Sequence, residues 1–271
     1  MKVIKANTNP FMYAGDIHGL IKIFVNTITN VINLTDVNIV LCGDIGIGFN
    51  KPNYYNTLFK KCDKKLKKNN IHLYLIRGNH DNPELFYNSD IQQVILNGVS
   101  NFHIVNDYDI IQNGTHSVLC IGGARSIDKS DRWKWDFKTQ TIVNDGWWED
   151  EKITDIPEGL DNFIKENNIT IDVICSHSAP DFCQPILKNN LDFWAKQDET
   201  LIEDCTNERL LLTSIYNRLK EAHKIKYWFY GHFHNTYILI DNGVLFRCMD
   251  RFREPYNKID LYLMNDAYCG C

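Results

Sequence analysis

Residues 11–19 read FMYAGDIHG, a short apolar run that stops at a glycine and passes straight into an aspartate and a histidine. A run this short, rich in aromatic and aliphatic residues, reads as a buried strand. The glycine allows a sharp turn and a close approach of backbone to a ligand. The same device recurs at NIVLCGD (38–44), HLYLIRGN (72–79), SVLCIGGA (117–124), DVICSH (172–177) and KYWFYGH (226–232). Each run ends at a glycine or a polar cluster, and most end beside an aspartate, asparagine or histidine.

Working outward, helix-period segments separate several of these strands. LIKIFVNTITNVI (20–32) follows the first, and NTLFKKCDKKLKK (56–68) precedes the third with Leu58, Cys62 and Leu66 on one face. ETLIEDCTNERLLLTSIYNRLKEAH (199–223) precedes KYWFYGH. A β-α-β-α-β order implies parallel pairing. After residue 100 the pattern changes. NFHIVNDYDIIQNGTHSVLCIGG (101–123) reads as consecutive strands with an Asn113-Gly114 turn, a strong hairpin signal. TYILIDNGVLFRCMD (236–250) repeats the device, and KIDLYLMN (258–265) supplies a last strand. The expectation is an α/β (α+β) chain with two mixed sheets packed together and flanked by helices, in a single domain over 1–271. Residues 125–157 show no clear periodicity. They hold Arg125, Arg132, Trp133, Trp135, Trp147 and Trp148 among acidic residues, and read as a lid or insert loop at about 124–157.

Composition sets limits on the reading. The 271 residues carry a formal net charge of -5, so there is no global attraction to nucleic acid or an acidic membrane. The N-terminus lacks the apolar core of a signal peptide, and no run approaches the ~18 apolar residues of a spanning helix. The nine cysteines include no C-x-x-C pair, and the terminal Cys-Gly-Cys is too isolated for a metal site. They read as free thiols in a reducing, cytoplasmic compartment.

Ligands in α/β sheets bind beyond the carboxyl ends of the strands. Five strand ends here supply Asp16 and His18, Asp44, Asn79, His177, and the pair His232 and His234, with His80 in addition. Carboxylate and imidazole together suit borderline divalent metals. The set exceeds what one ion needs and matches a pair about 3.5–4 Å apart. In Gly231-His232-Phe233-His234 the two imidazoles project the same way if the backbone is extended. Taken singly, each motif reads as a turn or a structural histidine. The ordered series is what points to a site.

That series, GDIHG, GD, GNHD, SH and GHFH between Asp16 and His234, resembles the calcineurin-like metallophosphoesterase superfamily. The resemblance implies a four-layer fold of two mixed β-sheets flanked by helices. It implies hydrolysis of a phosphate monoester or diester by a hydroxide bridging two divalent ions, manganese first, with iron or zinc as alternatives. Carried over by motif, Asp16, His18 and His234 hold one metal, Asn79, His177 and His232 hold the other, and Asp44 bridges them. His80 is the histidine beside the leaving group, protonated and oriented by Asp81.

The chain departs from some subfamilies. GDIGIGF (43–49) lacks the aspartate-arginine pair that phosphoprotein phosphatases carry after the second motif. Arg77 is a candidate substitute as a phosphate fork. IGGARSIDKSDRWKW (121–135) and GWWEDE (146–151) resemble a group of small bacterial and phage metallophosphoesterases. There Arg125 and Arg132 are the candidates for gripping a substrate phosphate, and the tryptophans are expected to pack the lid. KKCDKKLKK (60–68) reads as the solvated face of an amphipathic helix. The expected substrate is a small or nucleotide-like phosphate ester. A nuclease of the same superfamily and a non-enzymatic metal-binding scaffold are the alternatives. His72, His103, His116 and His223 are expected to be structural or at the surface.

Overall fold

The computed structural model describes residues 1–136, 141–144, 146–254 and 258–264, with the backbone alone over 133–144. The terminal Cys-Gly-Cys and the side chains of Trp133 and Trp135 lie outside the described residues. FMYA becomes strand β2 (Phe11–Ala14), with all four residues buried. It pairs in parallel with β3 (Val37–Leu41), which continues through β4 (Ile71–Ile76) to β5 (Phe102–Val105). β14 (Leu261–Leu263) lies antiparallel on the other side of β2, giving the order β14-β2-β3-β4-β5. The register sets Ala14 beside Leu41 and Leu41 beside Leu75. The chain segments carrying Asp16, Asp44 and Asn79 therefore leave the sheet side by side.

The second sheet has seven strands. These are β1 (Val3–Lys5), β6 (Ile110–Gln112), β7 (Ser117–Ile121), β10 (Val173–Ser176), β11 (Tyr227–Tyr230), β12 (Tyr237–Asp241) and β13 (Val244–Cys248), in the order β1-β6-β7-β10-β11-β13-β12. The Asn113-Gly114 turn joins β6 to β7, and Asn242-Gly243 joins β12 to β13, both antiparallel as the turn chemistry predicts. β7, β10 and β11 run parallel, with Ser176 beside Ile121 and Cys175 beside Phe229. His177 and the Gly231-His232 corner thus emerge together.

Residues 101–123 form the consecutive strands expected of them, with the hairpin at Asn113-Gly114, but β5 joins the first sheet while β6 joins the second. Both are apolar, and local patterning does not say which partner strand each one meets. The 125–157 segment is not irregular throughout. It holds a 3-10 turn (Lys129–Arg132) and a two-stranded sheet of β8 (Trp133–Asp136) and β9 (Thr141–Asn144). Four-residue strands are too short to announce a period.

The sheets pack face to face. Phe11, Tyr13, Val40 and Tyr74 meet Val118, Cys120, Val173, Cys175 and Phe229 between them, and Tyr13 stacks on Phe229 at 3.8 Å between ring centroids. The alternate residues Met12, Ala14, Ile39 and Leu41 face outward under α1 (Ile21–Asn26), α2 (Pro52–Lys68) and α4 (Ser89–Leu96), with α3 (Pro83–Tyr87) leading into α4. On the far side Leu119, Ile174 and Trp228 lie under α5 (Leu160–Glu166) and α7 (Leu201–Ala222); α6 (Leu191–Trp194) is a single turn. Strands buried on both faces are apolar at nearly every position, which is why they read as near-continuous runs. α2 buries Tyr55, Phe59, Cys62 and Leu66 and leaves Lys60, Lys61, Lys64 and Lys65 in solvent. Among the described residues no helix is long and apolar enough to cross a membrane.

Candidate metal centre

Asp16, His18, Asp44 and His234 each offer one ligand atom, all within 4.8 Å of one another. His234 Nε2 lies 3.1 Å from Asp16 Oδ2 and 3.0 Å from His18 Nε2. A second group abuts the first. His177 Nε2 is 3.2 Å from Asp44 Oδ1 and 3.1 Å from Asn79 Oδ1, and His232 Nδ1 is 2.9 Å from the same Asn79 oxygen. All seven residues therefore converge where the two sheets' carboxyl ends meet, with Asp44 between the groups. The side chains of Asp16, Asp44 and His177 are at most 1% exposed, whereas His18 and His234 are more than a quarter exposed, so the centre opens on their side.

The backbone here is held in an uncommon conformation. His18, Asp44, His232 and His234 all have positive φ, at 42°, 50°, 67° and 53°. Such residues cost free energy and persist where the surroundings impose them, often at functional sites. The expectation of an extended Gly-His-x-His is thereby corrected. His232 and His234 both sit in left-handed turns, and the turns send one imidazole to Asn79 and the other to Asp16. The flanking glycines are needed for close approach. A Cβ on Gly231 would lie 2.2 Å from Asp16 Oδ1, and one on Gly78 would lie 2.2 Å from Asp44 Oδ1.

A further layer orients these groups. His177 Nδ1 donates to the Cys42 carbonyl at 2.7 Å, which leaves Nε2 facing the centre. The Asn79 amide nitrogen donates to Ser126 Oγ at 2.9 Å, which turns its oxygen toward His177 and His232. Ser126 in turn gives both its hydroxyl and its backbone N–H to the Glu151 carboxylate, each at 2.7 Å. Sequence reasoning missed Ser126 and Glu151. Both stand inside the quoted stretches of the insert, but nothing local links two residues 25 positions apart.

Burial alone would raise the Asp44 carboxyl, yet His177, His80 and His18 outweigh it and hold it well below the usual range. Burial opposes charge on His177 too, but Asp44 and Asp16 lift it to about 9. Asp44 Oδ1 accepts the His80 backbone N–H at 2.8 Å, while Oδ2 is buried with no hydrogen-bond partner. An ionised, buried carboxylate oxygen without a donor, ringed by imidazoles, fits a cation.

A sequence model of calcineurin-like phosphoesterases matches residues 10–236. This chain belongs to the calcineurin-like phosphoesterase family. Among solved structures, TT1561 of Thermus thermophilus is similar at 12% identity, covering 94% of this chain and 98% of that one with a TM-score of 0.51. Phosphopantetheinyl hydrolase of Mycobacterium tuberculosis is similar at 13% identity, with 98% and 100% of the two chains covered and a TM-score of 0.44. No curated protein matches.

The other residues that the phosphoesterase resemblance singled out are placed differently from expectation. Asp81 does not orient His80. Its carboxylate accepts four backbone N–H groups, from Ile45, Gly46, Ile47 and Gly78, and ties the second motif to the third. His80 Nε2 instead accepts from Arg132 Nη2 at 2.8 Å. Burial, with Arg132 adding to it, pushes His80 down to about 4 against the pull of Asp44. Where Asp81 was expected to orient His80, the neighbour of the imidazole is the Arg132 guanidinium. Arg77 is fully buried and committed elsewhere. It donates to the Tyr87 hydroxyl, the carbonyls of Glu151 and Lys152, and Asp107, so it is a clamp on the insert and not a phosphate fork. Arg125 pairs with Asp204 at 3.7 Å on α7, outside the cluster. Of the three arginines, Arg132 is the one brought to the centre. Trp148 packs edge-on against Phe49 at 5.6 Å. Lys188, which no motif signalled, sets its Nζ 3.1 Å from His232 Nδ1.

Proposed function

We propose that this chain hydrolyses a phosphate ester, mono- or diester, of a small or nucleotide-like molecule, using a pair of divalent metal ions. The observation that carries this reading is the ring of Asp16, His18, Asp44 and His234 with the unpartnered Asp44 Oδ2 inside it. Asp16, His18 and His234 would hold one ion, Asn79, His177 and His232 the other, and Asp44 would serve both. Manganese is the proposed metal, with iron or zinc as alternatives. When bound, such a pair supplies Lewis acidity and a water acidic enough to attack phosphorus near neutral pH.

The chain's own contribution is placement and electrostatics. The Cys42 carbonyl keeps the His177 proton on Nδ1, and Ser126 keeps the Asn79 oxygen turned inward. His80 lies 4.0 Å from Asp44 Oδ2, with Arg132 behind it. From there Arg132, whose guanidinium also holds Asp128 Oδ1 at 2.8 Å, can donate to a phosphoryl or departing oxygen. Because Ser126, Arg132 and Glu151 all come from residues 124–157, that segment serves as the lid that completes the site.

The test is a panel of p-nitrophenyl phosphate, bis-p-nitrophenyl phosphate and cyclic nucleotides, run across manganese, iron and zinc with Asp44→Asn as control. Metal-dependent turnover that the control lacks is the expected result. Absence of turnover of every ester with every metal overturns the reading. A DNA and RNA arm identifies a nuclease.

A further inference from the structure

Beside the centre lies a cavity of about 40 Å³ that the strand-end motifs do not build alone. It sits between residues 186–191 and helix α7, and His232 forms part of its wall. Lys188 stands at that wall, with Nζ 3.1 Å from His232 Nδ1 and 3.2 Å from Nε2. Ile127, Leu187 and Leu191 supply apolar sides. The segment carrying Lys188 is tied down, because Arg209 of α7 gives its guanidinium to the carbonyls of Ala179, Pro180, Cys183, Pro185 and Ile186.

Glu208 also lines this cavity. Its carboxylate is engaged by the Ser178 hydroxyl and the Arg125 backbone, yet Oε2 is buried with no hydrogen-bond partner. A buried acceptor without a donor is costly, and a donor on a ligand removes that cost. The cavity therefore offers an amine donor next to the proposed metal ligands, an acceptor in its lining and apolar surface elsewhere.

We propose that this cavity receives the alcohol portion of the phosphate ester. Lys188 takes a phosphoryl oxygen, and Glu208 takes a hydrogen-bond donor on the alcohol, an ammonium or a hydroxyl group. The inference rests on reading the centre as a phosphate-ester hydrolase. One water needs about 10–15 Å³ of such space, so roughly three or four non-hydrogen atoms fit, which selects a two- or three-carbon alcohol. Hydrolysis breaks the phosphorus–oxygen bond to that alcohol. The attacking water's oxygen stays on phosphorus, and the departing oxygen takes up a proton to leave as the free alcohol.

The test compares kcat/KM for 2-aminoethyl phosphate, 2-hydroxyethyl phosphate and propyl phosphate, which are near-isosteric, with p-nitrophenyl phosphate as a check of the catalytic centre. At least one of the two donor-bearing esters should exceed propyl phosphate by about tenfold or more, since a site with an unmet acceptor rejects the analogue that lacks the donor. Glu208→Leu should bring that ratio to about one. Glu208→Gln, which is isosteric and keeps an acceptor, should lose a preference for the ammonium and keep one for the hydroxyl. Leu191→Trp, which fills the cavity, should raise KM for all three short esters. Turnover of p-nitrophenyl phosphate with no preference among the short esters, or a preference that survives Glu208→Leu, overturns the alcohol pocket alone. Absence of all turnover overturns the reading of the centre and the pocket with it.

Discussion

Asn79 donates its amide nitrogen to Ser126 across 2.9 Å, and that single bond decides which way its oxygen faces. The oxygen consequently meets His177 at 3.1 Å and His232 at 2.9 Å. A residue of the insert thus orients a proposed metal ligand contributed by the first sheet. Ser126→Ala removes this restraint without touching a ligand. Metal affinity should fall on the order of 10–100-fold, as it does when outer-layer partners are lost. Calorimetric titration of the metal-free protein with manganese measures it, and unchanged affinity would show that Asn79 needs no such support.

His232 and His234 point to opposite sides of the cluster, toward Asn79 and Asp16 respectively. His232→Ala and His234→Ala should each reduce bound metal from about two equivalents toward one. Elemental analysis of the two purified variants decides the matter. Loss of both ions in either variant would mean that the two positions are not separable as assigned.

Arg77 holds the insert to the first sheet while paired with Asp107 at 2.8 Å in the interior. Arg77→Met leaves a buried carboxylate short of its partner, at a cost of about 3–5 kcal/mol, which for a chain of this size lowers Tm by roughly 10 °C. Calorimetry and a KM for p-nitrophenyl phosphate separate the possibilities. A raised KM with Tm unmoved would return Arg77 to substrate binding.

Burial pushes the Glu151 carboxyl up to about 7, despite its bonds from Ser126. A folded-state pKa above the unfolded one means that the native state binds the proton more tightly. The stability this confers is complete below about 4.5 and is lost as pH rises through about 7, amounting to on the order of 3 kcal/mol. Glu151→Gln is neutral throughout, so its stability relative to the parent should rise between pH 5 and pH 8. Denaturant unfolding of both metal-free proteins at the two pH values measures this. A constant difference would mean that Glu151 is already ionised at pH 5 in the folded chain.

The strand ends were legible because their chemistry is local. Gly15-Asp16, Gly43-Asp44 and Gly231-His232 each announce a turn and a proposed ligand within two residues, and both Asn-Gly turns close the hairpins expected of them. The lysine run of α2 was legible for the same reason, since a helix period shows which side faces water. Partners far apart in sequence were not legible. Asp81 looked like the companion of His80 because it follows it, yet its carboxylate reaches back to the N–H groups of residues 45–47.

From the sequence alone come the strands, their apolar faces and the ordered set Asp16, His18, Asp44, Asn79, His177, His232 and His234. Burial on both sides and turns at strand ends leave marks within a few residues, and those marks can be read. Only the tertiary structure decided that Arg77 is a clamp, that Arg132 reaches His80, that Ser126 and Glu151 steer Asn79, and that Lys188 and Glu208 line one cavity. Each of those outcomes depends on which backbone carbonyl or carboxylate packing brings within about 3 Å of a donor. That distance is set by how the sheets and the insert close on one another, and no local pattern encodes it.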